Sequence, residues 1–118
     1  FVLSNESSAH VNFKKAVLEA KDGDTILTLK EITPVRLIKN KFFQKLQNAY
    51  FENKSVLELK KILGKGRAKK GMFEGDIDDG ELEIGQISSY LDSIKPAKEI
   101  IKEIVNDFFT TRDKLNEY

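Results

Sequence analysis

Cysteine is absent from the 118 residues, and disulfides and thiolate chemistry are absent with it. That fits a reducing compartment. Histidine occurs once, at position 10, so no histidine cluster can hold a metal ion. Long apolar runs are missing too, and no secretory pattern opens the chain, which argues against a membrane partner and makes a cytoplasmic location the expectation. Nor is there an excess of charge: 20 Lys and Arg face 19 Asp and Glu, for a formal charge of +1. This balance carries neither the basic footprint of a nucleic-acid binder nor a field for acidic substrates. The length suits about one domain, in which folding would bury roughly two-thirds of the unfolded surface.

Periodicity places the elements that are present. Phe13, Ala16, Val17 and Ala20 recur at helical spacing behind Ser7 and Ser8, predicting a helix from about residue 8 to 21. Asp22-Gly23-Asp24 turns the chain, and TILTL predicts a strand over 25–29. Pro34 suits a first helical position, and Val35, Ile38, Phe42, Leu46, Ala49 and Tyr50 form one stripe behind it. Ser55 and Glu58 have the spacing of a capping box ahead of Leu59, Ile62 and Leu63. Residues 65–71 read as a mobile basic linker, a further helix carries Ile84, Ile87 and Leu91, and Pro96 opens the last one. The single strand lacks a partner for its backbone groups. Phe1-Val2-Leu3, which reads as the end of a buried strand, or a sheet outside this sequence, must supply one.

The stretch GDIDDGELEIGQ, residues 75–86, invites a metal reading. An EF-hand loop needs oxygen ligands at positions 1, 3 and 5, Gly at 6 and Glu at 12. Counting back from Gly80 puts Gly75 at position 1, and counting from Asp76 puts Gly80 at position 5, so neither register works. An acidic turn launching a helix is favoured. GKGRAKKG, residues 64–71, lacks the Lys-Ser or Lys-Thr pair of a phosphate-binding loop. His10 reads as a local hydrogen-bonding residue beside a helix start, and Glu6 and Glu81 have no partner visible in the sequence. No catalytic residue and no metal ligand is assigned.

Three separated blocks carry a resemblance. Phe1, Glu6, Ser7, Ala9, His10, Phe13 and Lys14 match the passage after the last barrel strand in nitronate monooxygenases and the related flavin-dependent enoyl-acyl-carrier-protein reductases. Val35, Arg36, Lys39 and Asn40 match a second family block. Gly75, Asp76, Ile77, Gly80, Gly85 and Gln86 match a third. The chain departs where many relatives read Met-Ala-Gly-Gln: here the run is Leu82-Glu83-Ile84-Gly85-Gln86.

The resemblance implies an α/β parent, a (β/α)8 TIM barrel, of which this chain is the C-terminal, mostly helical portion. Residues 1–24 would be the end of the last strand and its helix, 25–95 a helical covering subdomain, and 96–118 the terminal helix. It implies FMN, held mainly by residues upstream, and oxidation of alkyl nitronates by oxygen. The alternative is an NAD(P)H- and FMN-dependent enoyl reductase. Gly85 and Gln86 are the cofactor-binding candidates, since glycine lets a ligand approach backbone and a glutamine amide both donates and accepts. Partners are then a small-molecule substrate and the rest of the barrel, while His10 matches a non-catalytic position. A non-enzymatic helical interaction module is the competing class.

Overall fold

The structure is a computed structural model describing residues 1–118. It divides into two compact units, residues 9–92 and residues 1–8 with 93–118.

In the larger unit, helix α1 spans Val11–Glu19, with His10 as N-cap, its Nδ1 accepting from the Asn12 N–H at 3.1 Å. This satisfies one of the donors that a helix start leaves unpaired. α1 buries Phe13, Lys14 and Val17. The Lys21–Asp24 turn then leads to strand β1, Thr25–Thr28, which pairs antiparallel with β2, Val35–Ile38, from Thr25↔Ile38 to Thr28↔Val35.

The second strand corrects the sequence reading. Val35–Ile38 is not the first turn of a helix, and β1 takes its partner from its own hairpin instead of from Phe1-Val2-Leu3. The physical reason is that β1 must pair its backbone groups, and a segment with β-branched Val35 and Ile38 at its ends does so with a short connection. Pro34 therefore precedes a strand. Helix α2 begins later, at Lys41, and runs to Phe51, capped by Asn40 in an extended conformation.

Leu29, Leu37, Phe42 and Leu46 form the buried core where the hairpin meets α2, with Tyr50, Ile62 and Leu63 packed against it. Leu29 has φ +54°, an uncommon conformation for a bulky residue. Its N–H donates to Tyr50 Oη at 3.2 Å, and that hydroxyl donates to Glu31 at 2.8 Å. Burial, followed by the Glu31 carboxylate, raises the Tyr50 pKa.

Helix α3, Val56–Leu63, starts with the expected capping box between Ser55 and Glu58 and ends at Gly64. The segment read as a linker is instead mostly ordered as helix α4, Arg67–Met72, entered through Gly66 at φ +71°. Residues 82–84 then lie along the free edge of β2, through Ile38 N–H to Leu82 O at 2.9 Å and Ile84 N–H to Arg36 O at 3.2 Å. This recruitment of Ile84 explains why the helix expected there shrinks to a 3-10 turn, Gln86–Tyr90.

In the smaller unit Ser4 bridges Lys95, and Asn5 N–H donates to Lys95 O at 3.0 Å. Phe1-Val2-Leu3 is turn and irregular backbone there, not strand. Helix α5, Ala97–Asn116, follows Pro96, and Glu6 accepts from the Ala97 N–H at 2.9 Å, where a carboxylate also meets the positive end of the helix. No residue of α5 is buried. No helix of the chain is long and apolar enough to cross a membrane.

Candidate functional site

The stretch 75–86 divides into a locked half and an open half. Gly75 has φ +81°, and a Cβ there would clash with the His10 ring. His10 also donates its N–H to Met72 O at 2.8 Å, and Asn12 Nδ2 donates to Gly75 O at 3.0 Å. His10 thus caps α1 and seats the turn that carries Gly75. Both roles are architectural.

Asn40 closes the other side. Its Oδ1 accepts from the Phe43 N–H at 3.0 Å, while Nδ2 donates to Ile77 O at 2.9 Å and Gly80 O at 2.8 Å. One side chain starts α2 and fixes the loop. Gly80 lies so close to Gly71 that a Cβ on Gly80 would overlap the Gly71 backbone.

The aspartates bind the protein to itself. Asp76 accepts from the N–H groups of Asp78 at 3.2 Å and Asp79 at 2.8 Å and pairs with Lys70 at 3.2 Å. Asp79 pairs with Lys45, with Lys70 at 3.1 Å and with Arg67 at 3.1 Å. The hydrogen bonds from Lys45 and Lys70 hold the Asp79 carboxyl far below the usual carboxylate range, with Arg67 adding to them. Asp76 is lowered as well, by the Asp79 N–H first and Lys70 second.

Arg67 organises this region. It donates to Leu63 O at 2.6 Å, Ile62 O at 3.0 Å and Asp79 O at 2.7 Å, and its guanidinium lies 4.6 Å from the Phe42 ring centroid. The planar fork caps the end of α3 and ties it to the loop, a task for which arginine is suited. Sequence reasoning placed Arg67 in a mobile linker and missed this role. Glycines two apart, at 64 and 66, allow a turn into a new helix, but the carbonyls that Arg67 reaches are set only by the tertiary fold.

Beyond Gly80 the character changes. Leu82 is buried, whereas Glu83, Gly85, Gln86, Ile87 and Tyr90 are exposed. A Cβ on Gly85 would meet nothing within 4 Å, so no packing inside the chain demands glycine there. The Gln86 side chain is exposed and makes no hydrogen bond within the chain. Ser88, behind them, is 1 % exposed, and its Oγ has no partner. Gly85, Gln86 and Ile87 thus leave backbone, an amide and an apolar side chain facing outward. A separate cleft of about 320 Å³, lined by Ala16, Ala20, Ile38, Asn40, Ile77 and Leu82 among others, does not include Gly85 or Gln86.

Comparison with known proteins gives this arrangement a family. The family model for nitronate monooxygenase matches residues 1–107. The structure of FabK from Thermotoga maritima superposes with a TM-score of 0.87 at 34% sequence identity, covering 99% of this chain and 37% of that one. A point mutant of the same protein superposes at 0.79 with 30% identity, covering 99% of this chain and 34% of that one. No curated protein sequence matches the chain. The chain therefore belongs to the nitronate monooxygenase family, and it spans little more than a third of the length of these solved structures.

Proposed function

We propose that the protein to which this chain belongs is an FMN-dependent oxidoreductase that oxidises an alkyl nitronate with oxygen. The family match over residues 1–107 carries this reading. The exposure of Gly85 and Gln86, with open space around Gly85, supports a role for them in it. Residues 1–24 would lead out of the last strand of a (β/α)8 barrel, residues 25–95 would cover the C-terminal ends of its strands, and residues 96–118 would form its terminal helix. Flavins bind at that face in barrels of this architecture, on loops after the strands.

When bound, FMN would supply the electron chemistry that couples oxidation of the substrate to reduction of oxygen. This chain contributes positioning. Gly85 lets a ring approach the backbone, and the Gln86 amide offers a donor and an acceptor to a ring edge or to a substrate oxygen. The loop 75–80, held by His10, Asn40 and Arg67, fixes the backbone that carries them. The flavin phosphate would be held by residues outside these 118.

A second reading, reduction of an enoyl thioester with NAD(P)H as the electron source, is favoured by one local feature. Glu83, an exposed acid, comes two residues before Gly85 in the chain, and a nitronate is an anion.

The test uses the full-length protein. Purified protein should be yellow, with the absorbance of oxidised flavin, and Gln86→Ala should retain less flavin or turn over more slowly while unfolding at the same temperature. A colourless protein that gains no absorbance from added FMN would end the flavin reading. Wild-type retention and turnover in Gln86→Ala would remove Gln86 from the site.

A further inference from the structure

Helix α5 is long and uncovered. Its 20 residues reach about 30 Å at the usual helical rise, yet none is buried, and Ile101, Ile104, Phe108 and Leu115 are each more than half exposed.

The spacing of its seam is specific. Ala97, Ile101, Ile104, Phe108, Thr111 and Leu115 follow one another at steps of four, three, four, three and four residues, the heptad repeat by which one helix faces another. In heptad terms Ile101, Phe108 and Leu115 are a positions, and Ala97, Ile104 and Thr111 are d positions. The outer face carries Glu99, Lys102, Glu103 and Asn106, and its one apolar residue, Phe109, is covered by the Arg112 guanidinium, 4.9 Å from the ring centroid.

The two halves of the seam differ in width. Up to residue 105, Ile100 and Val105 flank it and broaden the apolar stripe to one that suits a globular core. Beyond that point the flanks are charged, with Asp107, Arg112 and Lys114 enclosing a strip only Phe108, Thr111 and Leu115 wide. A narrow seam between charges is the pattern of helix pairing. The family match ends at residue 107, so most of this half lies beyond what the whole family shares.

Shape and charge both point to a second copy. A groove of about 440 Å³ lies on this half, lined by Ile104, Asp107, Phe108, Thr111, Arg112 and Leu115. In a parallel pair an a side chain enters a hole made by four residues of the facing helix, which for Phe108 are Ile104, Asp107, Phe108 and Thr111 of the other copy. All four line the groove. The same arrangement sets Asp107, at g, against Arg112, at e, of the second copy five residues further on. Asp107 has no ion pair within the chain, and Arg112 pairs only with its neighbour Asp113, in an exposed contact of little worth. An antiparallel pair centred on the groove would instead bring the two Asp107 carboxylates together.

We propose that the C-terminal half of α5 is a homodimer surface, on which two copies of the protein pair their α5 helices in parallel with each Phe108 ring seated in the groove of the other. The first half is left free to lie against its own chain.

The test uses the full-length protein, and the lack of cysteine in these 118 residues leaves an introduced thiol no competitor among them. Wild type should sediment as a dimer. Thr111→Cys should form an inter-chain disulfide on mild oxidation, because equivalent d positions of a parallel pair lie within disulfide reach, and Asn106→Cys on the outer face should not. Asp107→Arg should weaken the dimer on the order of fivefold at low salt, and adding Arg112→Asp should restore it. Wild type that stays monomeric over the accessible concentrations would overturn the proposal, as would a dimer in which Thr111→Cys fails to cross-link or Asn106→Cys cross-links as readily. A monomer whose Thr111→Cys thiol is shielded from a small alkylating reagent would show that the rest of its own chain covers this face. Flavin content, read from the absorbance of the same samples, tests the function proposed above separately from either result.

Discussion

Residues 75–80 and residues 83–86 belong to one continuous stretch, yet they are held in opposite ways. In the first, every distinctive residue is committed: Gly75 to the His10 ring, Asp76 to two N–H groups, Asp79 to three cations, and Gly80 to the Gly71 backbone. In the second, a glycine faces open space and a glutamine amide is unpaired. A motif can therefore hold residues for two reasons. One half secures geometry, and the other is free to meet something outside the chain.

The largest effect should come from breaking the locked half at its tightest point. Gly80→Ala sets a Cβ against the Gly71 backbone, which has no rotamer to yield, and should cost about 3 kcal/mol or more, or prevent accumulation of soluble protein. Chemical denaturation of the purified protein measures it. A loss under about 1 kcal/mol would mean that the two glycines do not pack as described.

A smaller effect should arise from the charge cluster. The Asp79 and Asp76 pKa values are depressed in the folded state, so their contribution is present above the unfolded carboxylate value of ~3.9 and is lost as pH falls through the folded values. Stability should be level with respect to these groups above about pH 5 and decline below about pH 4. Asp79→Asn should remove part of that decline and cost on the order of 1 kcal/mol at neutral pH, the pairs being partly exposed to solvent. Unfolding curves measured from about pH 3 to 7 would decide it. An unaltered pH profile in the variant would show that the cations bring no net stabilisation.

The elements legible in the sequence are those whose signals are local. The capping box at Ser55 and Glu58, the periodicity of α1 and α5, and β1 all lie where pattern placed them, within a few residues at their ends. The hairpin was obscured because VRLIKNKFF supports both a helical stripe and a short strand. The arbiter was Asn40, an N-cap residue three positions before the Phe43 N–H that it accepts. Arg67 and Lys70 could not be placed from sequence, since their partners Asp76 and Asp79 come together only after α4 has folded back. The third motif block singled out residues 75–86, but it could not separate the locked residues from the open ones. That separation depends on the space around each Cβ.

The open half offers the finest test, because stability and function should move in opposite directions. Gly85 has φ −76° and ψ 167°, a conformation any residue adopts, and open space where a Cβ would stand. Gly85→Ala reduces the freedom of the unfolded chain without a clash, so the protein should be unchanged or more stable, by up to about 1 kcal/mol. A methyl group projecting from that edge should nevertheless weaken retention of FMN by the full-length protein if a ring approaches the backbone there. Unfolding and flavin release measured on the same preparation separate the two effects. Weaker folding with unchanged flavin affinity would mean that Gly85 belongs with the locked residues, and the division at Gly80 would have to be redrawn.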